Sequence, residues 1–300
     1  MVLTFGGQTA IDLAKDLAYA DVPIAGLTAE AIEVTEDRER FAGLLDRLGL
    51  RGPRGRLAAD EAELVAALRA LGMPAIVRPS WVIGGRGMAV LRSAADLADL
   101  LATDVGWPLR VDELVAGVEL DVDAISDGTD WCVPGILEQL DPPGVHSGDS
   151  VAVLPPQSLS RSVQEQAAEV AGRIALALGV RGILNVQMIA TGDRIVVIEA
   201  NPRASRTVPI VAKATGRDVV AAAVRCALGA TLAEVGWAPG LAPDSPLVAV
   251  KVPVGSLWRL PGVNEALGPE MRSTGEVLGL APDYAAALLA ANAAAEVHAR

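Results

Sequence analysis

Oxygen-bearing side chains cluster on a pair of apolar strands predicted at residues 185–201. The first strand carries Gln187, and the second carries Glu199 and Asn201. If residues 191–193 form a three-residue turn, these side chains share one face of the hairpin. One carboxylate and two amide oxygens form the hard ligand set that Mg²⁺ prefers when it also binds substrate phosphates. The pattern therefore indicates a magnesium site built from Gln187, Glu199 and Asn201.

This interpretation depends on the register of the hairpin. A three-residue turn pairs Asn185 with Glu199 and Gln187 with Val197. A two-residue turn would place Gln187 and Glu199 on opposite faces, and the shared site would be lost. The competing interpretation is an ordinary surface hairpin with a polar edge.

Two arginines after the hairpin favour a binding site over an ordinary surface hairpin. Arg203 and Arg206 directly follow the second strand, where they can meet phosphate oxygens. Only Lys15, Lys213 and Lys251 are lysines, so arginine is the expected ligand of any bound anion.

A glycine-rich tip is predicted between strands at 75–80 and 88–91. It contains Gly84 and Gly85, and Arg78 lies on the strand before it. Glycines let backbone amides approach phosphates and let a loop close over them. A Gly-Gly pair is also an ordinary turn, so this signal is weak alone.

A small polar loop forms the third candidate element. Gly144, Val145, His146 and Ser147 lie between apolar strands and could line a nucleotide or supply a general base. The alternative is an exposed histidine in a surface loop. Arg38, within a charged run, indicates only a solvated helix face by its spacing.

Composition narrows the possible partners. The formal charge is −12 and the isoelectric point about 4.7, which disfavours nucleic acids and anionic membranes. Two cysteines and two histidines do not make a disulfide framework or a zinc site. No secretory signal or membrane span is recognised, so we expect a cytoplasmic protein.

The elements that would position these residues predict an α+β fold. Strand 118–125 alternates apolar residues with Glu119, Asp121 and Asp123, which predicts a half-buried strand. The helix at 60–71 starts with Asp60 and has Glu63 three residues later, as in a capping box. The other predicted elements are a βαβ unit at 2–25, helices at 36–48, 162–178, 218–228 and from 284, and strands at 109–114, 132–137, 151–154 and 247–254.

Taken in order, these segments resemble the ATP-grasp module of carbamoyl phosphate synthetases, specifically the carboxy-terminal half of the large chain, which phosphorylates carbamate. The resemblance covers essentially the whole chain. It is carried by FGGQTA at Phe5, EDRERF at Glu36, VRPSWVIGGRGM at Val77, ELDVDAI at Glu119, GVHSGDS at Gly144, RGILNVQ at Arg181, IEANPRASRTVP at Ile198, KATG at Lys213 and GPEMRSTGEVLG at Gly268.

The resemblance implies an ATP-grasp fold that starts with a truncated βαβ piece of a preceding domain. Residues 1–34 would be that piece, and 35–115 a linker helix with the lid subdomain and its glycine-rich hairpin. The catalytic subdomain would span 116–256, and 257–300 would be a helical closing segment.

The resemblance also implies a set of site residues and cofactors. ATP would be used with Mg²⁺ or Mn²⁺, the metal would be held by Gln187, Glu199 and Asn201, and Arg203, Arg206 and Asn201 would be catalytic. The implied nucleotide ligands are Arg38, Arg78, Gly84, Gly85, Asp112, Leu114, Glu119, Gly144, Val145, His146, Ser147, Gln187 and Glu199.

The implied substrate is carbamate or a similar small carboxylate, and the implied partners are the amino-terminal half and a glutaminase subunit. Asp112 and Glu113 depart from the family, which commonly has a basic residue followed by an aromatic one there. Two alternatives stay open: a free-standing ATP-grasp ligase for another acid, and a nucleotide-binding remnant without turnover.

Overall fold

The computed structural model describes residues 1–79, 87–255 and 267–299 and confirms the mixed α+β architecture. Its helices are α1 Gly7–Asp12, α2 Ala14–Tyr19, α3 Ala29–Glu36, α4 Arg38–Arg47, α5 Glu61–Leu71, α6 Ala94–Leu101, α7 Arg161–Ala177, α8 Val208–Thr215, α9 Val219–Ala227 and α10 Tyr284–Ala299. Its strands are β1 Gly55–Ala58, β2 Ala75–Pro79, β3 Ala89–Leu91, β4 Leu109–Glu113, β5 Val118–Asp127, β6 Trp131–Val133, β7 Ile136–Gln139, β8 Ala152–Leu154, β9 Arg181–Thr191, β10 Arg194–Asn201, β11 Gly240–Leu241, β12 Val248–Val254 and β13 Gly275–Ala281.

A small antiparallel sheet has the strand order β1-β4-β2-β3. Leu64 and Leu68 of α5 bury against its apolar face with Val77 of β2. The helix starts as the sequence predicts, because the Asp60 side chain accepts a hydrogen bond from the Glu63 amide at 2.9 Å. Strand β1 and helix α6 were not predicted from the sequence.

The large sheet has the order β10-β9-β5-β7-β8-β12-β13, with β6 and β11 paired beside β5. Leu120 and Val122 of β5 pack with α3, α4 and α7 in one core, and residues of β5, β7 and β9 pack with α8 and α9 in a second. The prediction of a half-buried β5 is wrong. This strand lies between β9 and β7, and Asp121 and Asp123 are 4% and 1% exposed.

The β9–β10 hairpin has a two-residue turn, so the predicted three-residue turn is wrong. Arg194 pairs with Thr191, and the register then shifts by one residue between Val197 and Glu199. This β-bulge returns Glu199 to the face of Gln187, its direct partner across the strands. The shared face predicted from the sequence exists, although a different backbone geometry produces it.

Several other boundaries differ from the prediction. In place of the two strands predicted for the amino-terminal βαβ unit, the structure has a single parallel bridge between Val2 and Ala25. Helices α1 and α2 lie between these two residues in the sequence. The helix predicted at 36–48 begins at Arg38, because Asp37 caps it by accepting from the Glu39 amide at 2.9 Å. The strand predicted at 132–137 is two strands, β6 and β7.

In the described part of the chain, no helix has the length and apolarity needed to cross a bilayer. The domain boundaries at 34, 115 and 256 stay predictions.

Candidate active site

The register of the large sheet places a set of polar side chains on one face. Residues that are direct partners in neighbouring strands point to the same side of a sheet. One row across β10, β9 and β5 consists of Asn201, Asn185 and Asp123, and the next consists of Glu199, Gln187 and Asp121.

Gln187 presents its oxygen rather than its nitrogen to the open side of this face. Its Nε2 donates to Asp121 Oδ1 at 3.1 Å and to Ser147 Oγ at 3.0 Å. Both amide protons are therefore used, which leaves Oε1 as the atom that can bind a cation. Gln139 donates to the second oxygen of Asp121 at 2.5 Å, while burial raises the pKa of Asp121.

Glu199 and Asn201 hold each other in place. Asn201 Nδ2 donates to Glu199 Oε1 at 3.1 Å and to Asn185 Oδ1 at 3.3 Å. Glu199 is partly exposed, and its Oε2 lies 3.7 Å from Arg38 Nη2. Both side chains therefore reach the open side of the sheet.

The side-chain oxygens of Gln187, Glu199 and Asn201 are suited to bind a hard divalent cation. Gln187 Oε1, the Glu199 carboxylate and Asn201 Oδ1 are oxygen ligands of the kind that Mg²⁺ uses when phosphates complete its coordination. Within the described ranges, no three His, Cys, Asp or Glu side chains converge to hold a metal ion. Because every ligand in this set is an oxygen atom, the set suits Mg²⁺ bound with a nucleotide better than a soft metal.

Arginines surround the oxygen donors. Arg203 Nη2 donates to Asn201 Oδ1 at 3.3 Å, and Arg206 is exposed. Arg206 has no hydrogen bond or ion pair with another described residue, so its guanidinium can meet a ligand. Burial, reinforced by the charge of Arg78, lowers the pKa of Arg38 to about 10, and Arg38 remains a cation at neutral pH.

Arg78 is buried beside the carboxylate of Asp112, with which it forms a short ion pair. Asp112 also accepts from Arg110 Nε at 2.8 Å, and Arg78 Nε has no hydrogen-bond partner among the described residues. The Asp112 carboxylate thus contacts two arginines, and its role at the nucleotide stays a prediction. Gly84 and Gly85 lie outside the described residues, so the glycine-rich tip also stays a prediction.

The polar loop lies between both sheets. A Cβ on Gly144 would come within 3.3 Å of side-chain atoms of Leu114 and Val90, so the loop contacts the predicted nucleotide segment 112–114. The Val145 amide donates to Pro142 O at 3.3 Å and holds the loop backbone.

His146 is less suited to a general base than its residue type indicates. Its Nδ1 accepts from the Gly148 amide at 3.0 Å, so Nε2 carries the proton of the neutral ring and can donate a hydrogen bond but not take up a proton. Burial also lowers the pKa of His146, which weakens it as a base. Its own amide donates to Gly268 O at 2.8 Å. His146 therefore stabilises the loop through Nδ1 and its backbone amide, and its Nε2 can contact a ligand.

Acidic and basic groups at this face were partly missed by sequence reasoning. Burial, followed by the charges of Asp121 and Glu199, raises the pKa of Glu119 to about 8. Lys251 of β12 is buried, and its Nζ donates to Ser147 O at 2.7 Å. Asp121 belongs to the pattern of acidic residues at every second position of β5, but the same pattern also fits a strand face exposed to solvent. Nothing near Lys251 in the sequence marks it.

The chain matches the family model described as "Carbamoyl-phosphate synthase L chain, ATP binding domain" over residues 37–235. It is 44% identical over 284 residues to a carbamoyl phosphate synthase large chain of Clostridium perfringens. That alignment covers 93% of this chain and 27% of the relative, so the chain spans about a quarter of that protein's length.

Solved structures with low sequence identity have the same fold. N5-carboxyaminoimidazole synthase of Aspergillus clavatus, solved with ADP, has a TM-score of 0.73 at 16% identity, covering 97% of this chain and 80% of that one. The biotin carboxylase domain of Hydrogenobacter thermophilus 2-oxoglutarate carboxylase, solved with MgADP and bicarbonate, has a TM-score of 0.65 at 16% identity, covering 90% and 66%.

The family match spans most of the chain, and the solved neighbours share its fold. The chain therefore belongs to the ATP-binding domain family of the carbamoyl phosphate synthase large chain, an enzyme family of ATP-dependent ligases with the ATP-grasp fold.

Proposed function

We propose that this chain phosphorylates carbamate to carbamoyl phosphate with ATP and Mg²⁺, as part of a carbamoyl phosphate synthase. The observation that carries this proposal is the set of oxygen ligands from Gln187, Glu199 and Asn201 on one face of the sheet, with Arg203 and Arg206 directly after β10. The MgADP complex of the H. thermophilus neighbour supports magnesium nucleotide as the ligand.

The reaction transfers the γ-phosphoryl group to a carboxylate oxygen. That oxygen forms a bond to phosphorus while the bond to the β–γ bridging oxygen breaks, and ADP leaves with the electron pair. Both reactants are anions, so the site must hold them in line and neutralise their charge. Bound Mg²⁺ would supply charge neutralisation and orientation of the phosphates.

The side chains of the chain divide this work. Gln187, Glu199 and Asn201 would hold the metal, while Arg38 and Arg78 would bind phosphates. Arg206, which has no partner among the described residues, would meet the charge that develops during transfer.

Keeping water away is a second requirement, because the product is a mixed anhydride that hydrolyses readily. The loop at 144–150 is fastened to the segment after residue 267. The buried Asp149 accepts from the amides of Arg272 and Ser273, each at 2.7 Å. This attachment supports a role of the loop as a wall of the site.

The complete synthesis needs more than this site. Bicarbonate must first be phosphorylated and aminated, so we propose the amino-terminal half and a glutaminase subunit as partners. The pathways served would be arginine and pyrimidine biosynthesis.

The test is the reverse reaction, in which carbamoyl phosphate and ADP yield ATP in a coupled assay with the 300-residue chain. We expect ATP formation, and we expect Arg206→Ala to lower kcat by roughly two orders of magnitude through loss of a transition-state donor. Arg194→Ala, an exposed arginine at the far end of the same hairpin, is the matched control and should keep wild-type activity.

Other outcomes contradict the proposal. ATP consumption driven only by another carboxylate would favour a free-standing ligase. A folded chain that binds MgADP but transfers no phosphoryl group would favour a non-catalytic role.

A further inference from the structure

Asp123 lies at the centre of β5, below the candidate site, and no ligand role has been assigned to it. It is 1% exposed, yet three side chains donate hydrogen bonds to it. Asn185 Nδ2 donates at 3.1 Å, Ser205 Oγ lies 2.9 Å from both carboxylate oxygens, and Thr207 Oγ1 makes a short contact with Oδ2. A buried carboxylate is costly unless such donors compensate it.

Two of these donors fix the backbone on either side of Arg206. Ser205 and Thr207 both bond to Asp123, and the Thr207 amide donates to Ser205 Oγ at 3.1 Å. The turn is therefore tied to β5 directly before and directly after Arg206. The exposed guanidinium of Arg206 extends from a fixed backbone position.

The third donor, Asn185, connects Asp123 to the proposed metal ligand Asn201. Because Asn185 uses Nδ2 to bond Asp123, its Oδ1 is directed to Asn201 Nδ2 at 3.3 Å. That bond, with the one from Asn201 Nδ2 to Glu199 at 3.1 Å, turns Asn201 Oδ1 away from Asn185. The Asp123 carboxylate thus orients both the Asn201 side-chain amide and the turn at residues 205–207 that carries Arg206.

We propose that Asp123 is a positioning residue for phosphoryl transfer, which holds the Arg206 turn and the Asn201 amide at a fixed separation. This inference rests on the proposed function. Holding these groups matters because a displacement of about 1 Å can reduce a transfer rate by roughly 100-fold. Burial raises the pKa of Asp123 to about 6, although the hydrogen bonds from Thr207 and Ser205 lower it. At pH 7 the carboxylate is therefore mostly ionised and acts only as a hydrogen-bond acceptor.

Asp123→Asn tests the proposal, because the amide cannot accept from all three donors. We expect kcat of the reverse reaction to fall by about 10- to 100-fold while KM for ADP changes by less than about threefold, since positioning acts on the transfer step. Asp127→Asn is the matched control. Asp127 is on the same strand and face, is 7% exposed, and accepts from the amides of Thr129, Asp130 and Leu232 at 2.8–2.9 Å. It should reduce stability without reducing kcat.

A double-mutant cycle tests whether Asp123 acts through the turn. Thr207→Val removes one donor at nearly constant volume, and it should lower kcat by roughly tenfold alone but by less than about twofold in the Asp123→Asn background. Fully multiplicative losses, or an unchanged kcat in Asp123→Asn, would overturn the proposal.

Hydrogen exchange gives a readout that does not need activity. Exchange at the Thr207 amide should accelerate in Asp123→Asn and not in Asp127→Asn. If the wild-type chain transfers no phosphoryl group, the proposed function fails, and the exchange result still decides whether Asp123 anchors the turn. Equal exchange in both variants would overturn that anchoring.

Discussion

The protonation state of Glu119 should change when a metal nucleotide binds at the candidate site. It lies on the site face of β5, and its pKa is raised to about 8 by burial and by the charges of Asp121 and Glu199. At pH 7 it is therefore mostly protonated. A divalent cation at Glu199 would offset the unfavourable charge and lower the pKa of Glu119.

We predict that MgADP binding at pH 7 releases protons, because the bound cation favours ionised Glu119. Binding should tighten as pH rises from about 6.5 to 8 and level off above the pKa of free Glu119. Calorimetry in two buffers with different ionisation enthalpies measures the release. Glu119→Gln should remove the dependence of binding enthalpy on buffer, and a wild-type enthalpy that is already independent of buffer would refute the prediction.

At the same scale, the sequence predicted which side chains share the site face but not the buried residues that hold them there. Gln187, Glu199 and Asn201 follow from residue type and spacing in a hairpin. Asp123 does not, because an acidic residue at every second position of a strand fits a solvated face equally well. Its burial depends on strands and helices far away in sequence, which alternation alone does not reveal.

At the scale of elements, the β9–β10 hairpin shows why a correctly predicted shared face can follow from a wrongly predicted turn. The turn has one residue fewer than predicted, and the bulge adds one on β10 before Glu199. The two differences add to a two-residue shift, so Glu199 pairs with Gln187 instead of Asn185 but stays on the predicted face. Bulges depend on how a strand bends within its sheet, and the local sequence carries little signal for them. Long helices such as α7 were predicted well, because their apolar periodicity is strong.

Helix α7 also offers a stability prediction. A Cβ added at Gly172 would lie 2.1 Å from ring atoms of Trp131, so the helix packs on β6 only because this residue is glycine. Gly172→Ala should lower the free energy of unfolding by about 1–3 kcal/mol through overpacking. Gly43→Ala in α4, where the nearest atom is 3.8 Å away, should instead raise it by up to about 1 kcal/mol. Urea denaturation followed by circular dichroism compares the two variants, and a stabilised Gly172→Ala would contradict this packing argument.

For the whole molecule, the two sheets explain why sequence order hides the site. Arg38 from α4, Ser147 from the loop, Glu199 from β10 and Lys251 from β12 come from distant parts of the chain. The sheet order and the loop contacts bring them to one face. Sequence motifs marked the segments of Arg38, Ser147 and Glu199, but no motif marks Lys251. Its place at this face follows from the strand order, because β12 pairs with β8 and β13 within the described residues.

The central claim is that this face binds a magnesium nucleotide, and calorimetric titration of ADP with and without Mg²⁺ tests it most directly. The account predicts that Mg²⁺ tightens ADP binding to the wild-type chain by at least about tenfold, or ~1.4 kcal/mol. Glu199→Gln should lose this gain, whereas Glu296→Gln, an exposed change on α10, should keep it. Equal ADP affinity with and without Mg²⁺ in the wild-type chain would contradict the account.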